Sequence, residues 1–149
     1  MSTGRYPMYT DKVIDHFRNP RNVGYLEDAD GVAQIGDPRC GDYLFLFLGI
    51  RDNRITEARF LCRGCPAAIA CASVTTELVT GKHVDDAWMV SDEAIVEALG
   101  GLPEEKQHCS NLGATALHAA LFDYFERRNR QEPPPSGLDR PEATDEQRD

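Results

Sequence analysis

Long apolar stretches are missing from this chain. The longest, Tyr43 to Ile50, has eight residues, whereas a helix that spans a bilayer needs about 20, so no membrane-crossing segment is expected. Basic clusters are missing as well. The net charge is −9, from 25 acidic and 16 basic residues, and no stripe of lysine and arginine offers itself to phosphates, which argues against nucleic-acid binding. The opening residues, MSTGRYPMYTDKV, lack a basic segment followed by an apolar one, so secretion is not expected and a cytoplasmic location is. What the chain does have is an apolar fraction of 41 % over 149 residues, enough for the core of one domain.

Composition changes at Glu132, where the sequence becomes EPPPSGLDRPEATDEQRD with Leu138 its only large aliphatic residue. Three consecutive prolines donate no backbone hydrogen bonds, and little remains to bury. We read 1–130 as one domain and 131–149 as a disordered, proline-rich acidic tail. The tail holds six acids and two arginines, a composition suited to a solubilising appendage.

Apolar spacing predicts the elements. Asp11 to Phe17 reads as a short amphipathic helix with Val13, Ile14 and Phe17 on one side, stopped by Pro20. Gly31–Ile35 is a weak strand; Tyr43–Arg51 and Arg54–Cys62 are stronger, joined by an Asp52-Asn53 turn. Helices follow over Pro66–Val79, Val84–Met89, Ser91–Leu99 and Ser110–Arg128. Ser91 caps the third, and Gly100-Gly101 ends it. Strands first and helices afterwards indicate an α+β fold, a small three-stranded antiparallel sheet with helices on one face.

Five cysteines, Cys40, Cys62, Cys65, Cys71 and Cys109, are an odd number in a chain expected in the cytosol, so a disulfide framework fits poorly. Cys65 precedes Pro66 at the start of a helix. There, exposed amides and the macrodipole favour a negative sulfur, and Arg63 adds positive charge. Such a thiolate suits metal binding or sulfur acceptance. Cys40 and Asp42 flank Gly41, a flexible turn residue, and form a mixed soft and hard donor pair for zinc or iron. His108, beside Cys109, is open to three readings: ligand, proton carrier or surface residue. Cys62 shares a strand face with Ala58 and Phe60, and Cys71 a helix stripe with Val74 and Leu78; both read as small buried hydrophobes. Cys62 and Cys65 nonetheless spell C-x-x-C. Cys40, Asp42, Cys65, His108 and Cys109 make a candidate set of the size that four-coordinate zinc or a 2Fe–2S cluster requires.

Four segments in register carry a resemblance. They are Asp15 to Gly24 (DHFRNPRNVG), Cys40-Gly41-Asp42, Gly64-Cys65, and Lys106-Gln107-His108-Cys109-Ser110. Together they resemble the IscU/NifU N-terminal family of iron–sulfur cluster assembly scaffolds, over roughly Tyr9 to Arg128. The resemblance implies a fold in which three cysteine loops meet near one end. It also implies that Cys40, Cys65 and Cys109 receive sulfur from a cysteine desulfurase, take iron from an iron donor, and hold a nascent 2Fe–2S cluster for apo-acceptor or carrier proteins. By the same resemblance Asp42 governs release of the cluster, His108 can complete coordination, and zinc can occupy the isolated protein. The implied role is binding and transfer, not enzymatic turnover.

The chain departs from the family pattern in places. Phe17 stands where tyrosine is usual. Leu102-Pro103-Glu104-Glu105-Lys106 puts two carboxylates where the chaperone-recognition stretch is apolar, which leaves engagement by an Hsp70-type chaperone in doubt. No long insertion separates Cys65 from Cys109, which favours cluster assembly over the zinc-dependent sulfurtransferase branch. No cysteine follows Cys109, so the further cluster domains of full-length nitrogen-fixation scaffolds are not expected. The rival readings are a zinc-bound sulfur acceptor carrying persulfide, and a structural or regulatory zinc domain. Finally, Asp42–Ile50 is apolar on both faces, and Phe45 and Phe47 are expected to form an exposed patch for homodimerisation or partner docking, the alternative being that another layer of this chain covers them.

Overall fold

A computed structural model describes residues 9–39 and 41–130. The tail expected over 131–149, and with it the domain boundary, lies outside the described residues, as does Cys40. The chain runs α1 (Asp11–Arg18), β1 (Gly31–Gly36), β2 (Tyr43–Arg51), β3 (Arg54–Arg63), α2 (Pro66–Val79), α3 (Val84–Trp88), α4 (Asp92–Ala98), a 3₁₀ turn (Glu104–Lys106) and α5 (His108–Arg130). The strands pair antiparallel in the order β1-β2-β3, and the fold is α+β as expected. No helix among the described residues is long and apolar enough to cross a membrane.

Local chemistry sets these boundaries. Asp52 and Asn53 take φ of 53° and 61°, the left-handed pair of a tight turn whose twist matches its strands. At the start of α2, Cys65 has extended dihedrals and Pro66 occupies the first turn, where its missing N–H costs nothing. Ser91 Oγ accepts from Ala94 N–H to cap α4. Gly31 lets β1 press on α5: a Cβ there would lie 2.3 Å from the Ala120 carbonyl oxygen.

Side chains of β2 alternate between two buried layers. Leu44, Leu46 and Leu48 point with Ala33, Ala58 and Phe60 toward α2 and α5, forming the main core with Leu117 and Leu121. Tyr43, Phe45 and Phe47 point the other way with Leu61. The expected exposed patch is not there: Phe45 and Phe47 are each 1 % accessible. The chain between α1 and β1 crosses that face and brings Tyr25, Leu26 and Ala29 onto it, with Tyr25 edge-on to Phe47 at 4.9 Å. Its backbone is tied down by Gly24 N–H to the Phe60 carbonyl and Asp30 N–H to the Leu48 carbonyl. A sheet covered on both faces needs apolar residues on both.

The Asp15–Gly24 segment pins α1 to α2. His16 is buried, its Nδ1 2.7 Å from Ser73 Oγ, which also accepts from Arg21 N–H at 2.9 Å. Arg21 reaches Asp15 at 2.6 Å and Glu77 at 3.7 Å, and Asn22 donates to Thr76 Oγ1. This polar seam holds the helix that carries Cys65 at its tip.

Candidate functional site

Three chain segments meet at one end of the sheet. The loop before β2 contributes Asp42, the β3–α2 junction contributes Cys62 and Cys65, and the start of α5 contributes His108 and Cys109. They line a cleft of about 370 Å³, together with Lys106 from the 3₁₀ turn. Register explains the convergence: Tyr43 pairs with Arg63, so Asp42 and Cys65 extend from the same end of adjacent strands. Gly41, at φ 146°, supplies a bend disfavoured for other residues. Arg39 N–H donates to Asp37 Oδ1 at 2.9 Å and stiffens the turn before it.

Cys65 Sγ and Cys109 Sγ lie 3.8 Å apart, and His108 Nε2 lies 3.7 Å from Cys109 Sγ. Cys65 is half-buried and makes no side-chain capping bond, Cys109 is 2 % accessible, and His108 and Asp42 are exposed. Burial pushes the Cys109 thiol up to about 12; the charge of Cys65 and the hydrogen bond to it add to the rise, while Lys106 opposes it. In the free chain at neutral pH Cys109 is therefore protonated, and an incoming metal must displace that proton. Among the described residues no three His, Cys, Asp or Glu side chains already converge to hold a metal ion.

Of the five residues singled out from sequence, four gather at this cleft: Asp42, Cys65, His108 and Cys109. Cys40 lies outside the described residues. Cys71 is sealed in the core at 1 % accessibility, as its helix stripe predicts. Cys62 differs from the expectation of a buried hydrophobe. It packs partly against the core and also lines the cleft. Burial, then the charges of Cys65, Asp42 and Cys109, push its thiol up to about 12. Lys106 is a further cleft residue that reasoning on donor types passed over; its place two residues before His108 was the available signal.

Residues 8–131 match the family described as NifU-like N terminal domain. The chain belongs to that family. Among its relatives, the NifU-like chain is 51 % identical over 123 residues to the iron-sulfur cluster assembly scaffold protein IscU 1 of Archaeoglobus fulgidus, covering 83 % of this chain and 80 % of the relative. It is 44 % identical over 124 residues to the iron-sulfur cluster assembly scaffold protein IscU of Escherichia coli, covering 80 % and 96 %. A crystal structure of a nitrogen-fixing NifU-like protein (N-terminal) from Brucella abortus superposes with a TM-score of 0.63 at 19 % identity, covering 84 % of this chain and 99 % of that one. This last likeness confirms the NifU-like fold.

Proposed function

We propose that this protein is a scaffold on which an iron–sulfur cluster is built and from which it is handed to acceptor proteins. The cargo is a 2Fe–2S cluster, its sulfur comes from a cysteine desulfurase, and its iron from a separate donor. Cys40, Cys65 and Cys109 hold it, with Asp42 and His108 competing for the remaining position. The protein binds and transfers; it does not turn over a substrate.

The observation that carries this reading is the 3.8 Å between the Cys65 and Cys109 sulfurs. Two thiolates on one tetrahedral metal, with metal–sulfur bonds of about 2.3 Å, stand about 3.8 Å apart. The pair thus already has the spacing of two ligands on a single iron. The cleft around it is open, and two of its other donors are an exposed carboxylate and an exposed imidazole. Hard or borderline donors bind iron–sulfur cargo less firmly than thiolates do, which suits a site that must release what it holds. The names of the relatives support the same reading.

Anaerobic incubation with ferrous iron, cysteine and a cysteine desulfurase tests it. Visible sulfide-to-iron absorbance is expected to develop on the protein and to decay when an apo-ferredoxin-type acceptor is added, as the acceptor gains the same absorbance. Protein that accumulates persulfide yet never develops the absorbance would contradict the proposal.

A further inference from the structure

Among the described residues, four large apolar side chains stay exposed: Val23, Trp88, Met89 and Phe122. The last three lie together, away from the cleft. α5 carries His118, Phe122 and Phe125 on one stripe, since residues three and four apart are neighbours on a helix surface. The end of α3 closes on that stripe. The Trp88 ring stands 4.7 Å from His118 and 6.2 Å from Phe125, and the Trp88 carbonyl accepts from His118 Nε2 at 2.9 Å. Met89, next in the chain, is 75 % accessible, Phe122 58 % and Trp88 39 %. At 150–250 Å² for a large side chain, these fractions leave about 300–400 Å² of apolar surface. A patch of that size on one face is often functional.

The stripe is complementary to itself. When two copies of α5 pack antiparallel about a two-fold axis at Phe122, positions equidistant from Phe122 meet. Phe122 then meets Phe122, Phe125 meets the small Ala119, Thr115 meets Asn129, and Glu126 meets His118. No like charges face each other in these pairs. We infer that this face joins two copies of the chain in solution, α5 against α5, with Trp88 and Met89 widening the contact. A standard interface covers about 800 Å² per partner. The apolar patch supplies its centre, and Thr115, Glu126 and Asn129 on the same stripe begin its polar rim. Each copy carries a net charge of −9, so the pairing works against long-range repulsion and tightens as salt screens it. About 20 Å of helix separates Cys109 from Phe122. The two clefts of the pair therefore stand about 40 Å apart along the paired helices, and both stay open. The inference goes beyond the scaffold reading and does not rest on it.

Sedimentation velocity on the full chain tests this, with a chelator and a thiol reductant present so that neither metal nor disulfides bridge the copies. At about 0.15 M salt the wild type should pass from monomer to dimer with a dissociation constant of about 10–100 µM. Phe122→Glu and Met89→Glu, both at exposed positions, should weaken association about tenfold or more with unchanged circular dichroism. His118→Lys places a base opposite Glu126 and should tighten it several-fold, whereas His118→Glu should weaken it. A wild-type chain still monomeric at about 500 µM overturns the inference, as does a dimer that none of the four substitutions changes. If the Phe122 and Met89 variants weaken association but the two His118 variants do not shift it in opposite directions, the antiparallel pairing is overturned.

Discussion

On the scaffold reading proposed above, Asp42 is the residue expected to govern release. It is exposed, follows a glycine bend, and lines a cleft shared with Cys62, Cys65, His108 and Cys109. An oxygen ligand to iron in that setting is the weakest bond of the set. Asp42→Ala is expected to leave cluster formation intact and to slow transfer to an acceptor by about tenfold. Stopped-flow absorbance of the donor and acceptor pair reads this directly, and an unchanged transfer rate would remove Asp42 from the mechanism. At this scale the sequence was informative because donor chemistry is written in residue types. Cys65 before Pro66 and Cys109 beside His108 could be read without coordinates. The lining role of Cys62 could not, since a strand face that is core along most of its length opens onto the cleft only at its end.

At the scale of elements, α1, α2 and the cover over the second sheet face decide whether the site is held in place. His16 is buried between Ser73 and Glu77, and burial lowers its pKa from the usual 6.5, with Arg21 adding to the fall and Glu77 and Asp15 opposing it. The folded state thus keeps His16 neutral, and the unfolded chain takes the proton first as pH falls. Stability is fully present above pH 6.5 and is lost below it, at up to about 1.4 kcal/mol per pH unit for this one group. Denaturant unfolding at pH 7 and 5.5 should register that loss, and His16→Gln should flatten it between those two values. The second element-scale prediction concerns Phe47. Sealed under Tyr25, it should cost about 3–5 kcal/mol when changed to alanine, measured by the same unfolding curves; a folded, stable variant with altered self-association would restore the surface patch we expected from sequence. That expectation failed for a physical reason. The layer over Phe45 and Phe47 is an irregular stretch with no apolar period to announce it, whereas regular elements such as Pro66–Val79 and the Asp52-Asn53 turn declared themselves by spacing and by residues with special backbone preferences.

For the whole molecule, the fold is expected not to depend on what the cleft holds. Its core of Leu44, Leu46, Leu48, Phe60, Leu117 and Leu121 is sealed by the sheet and by helices α2 and α5, each large side chain contributing about 1.5–3 kcal/mol by its burial. A zinc domain of structural type unfolds when its metal is removed. Here, treatment with a strong chelator should leave the far-ultraviolet circular dichroism of a folded α+β protein. The fluorescence of the single tryptophan, Trp88, packed 4.7 Å from His118, should likewise stay native. Some loss of thermal stability is expected because a bound metal stabilises the native state by mass action; collapse to an unfolded spectrum would make the metal structural. Charge acts at this scale too. With a net charge of −9, the long-range field speeds encounter with basic surfaces and slows it with acidic ones at low salt. The most direct measurement is iron and acid-labile sulfide on protein purified anaerobically, compared with Cys40→Ser, Cys65→Ser and Cys109→Ser. Equimolar iron and sulfide in the wild type, lost in each variant, is the expected result; zinc without sulfide, indifferent to those three substitutions, would contradict the account.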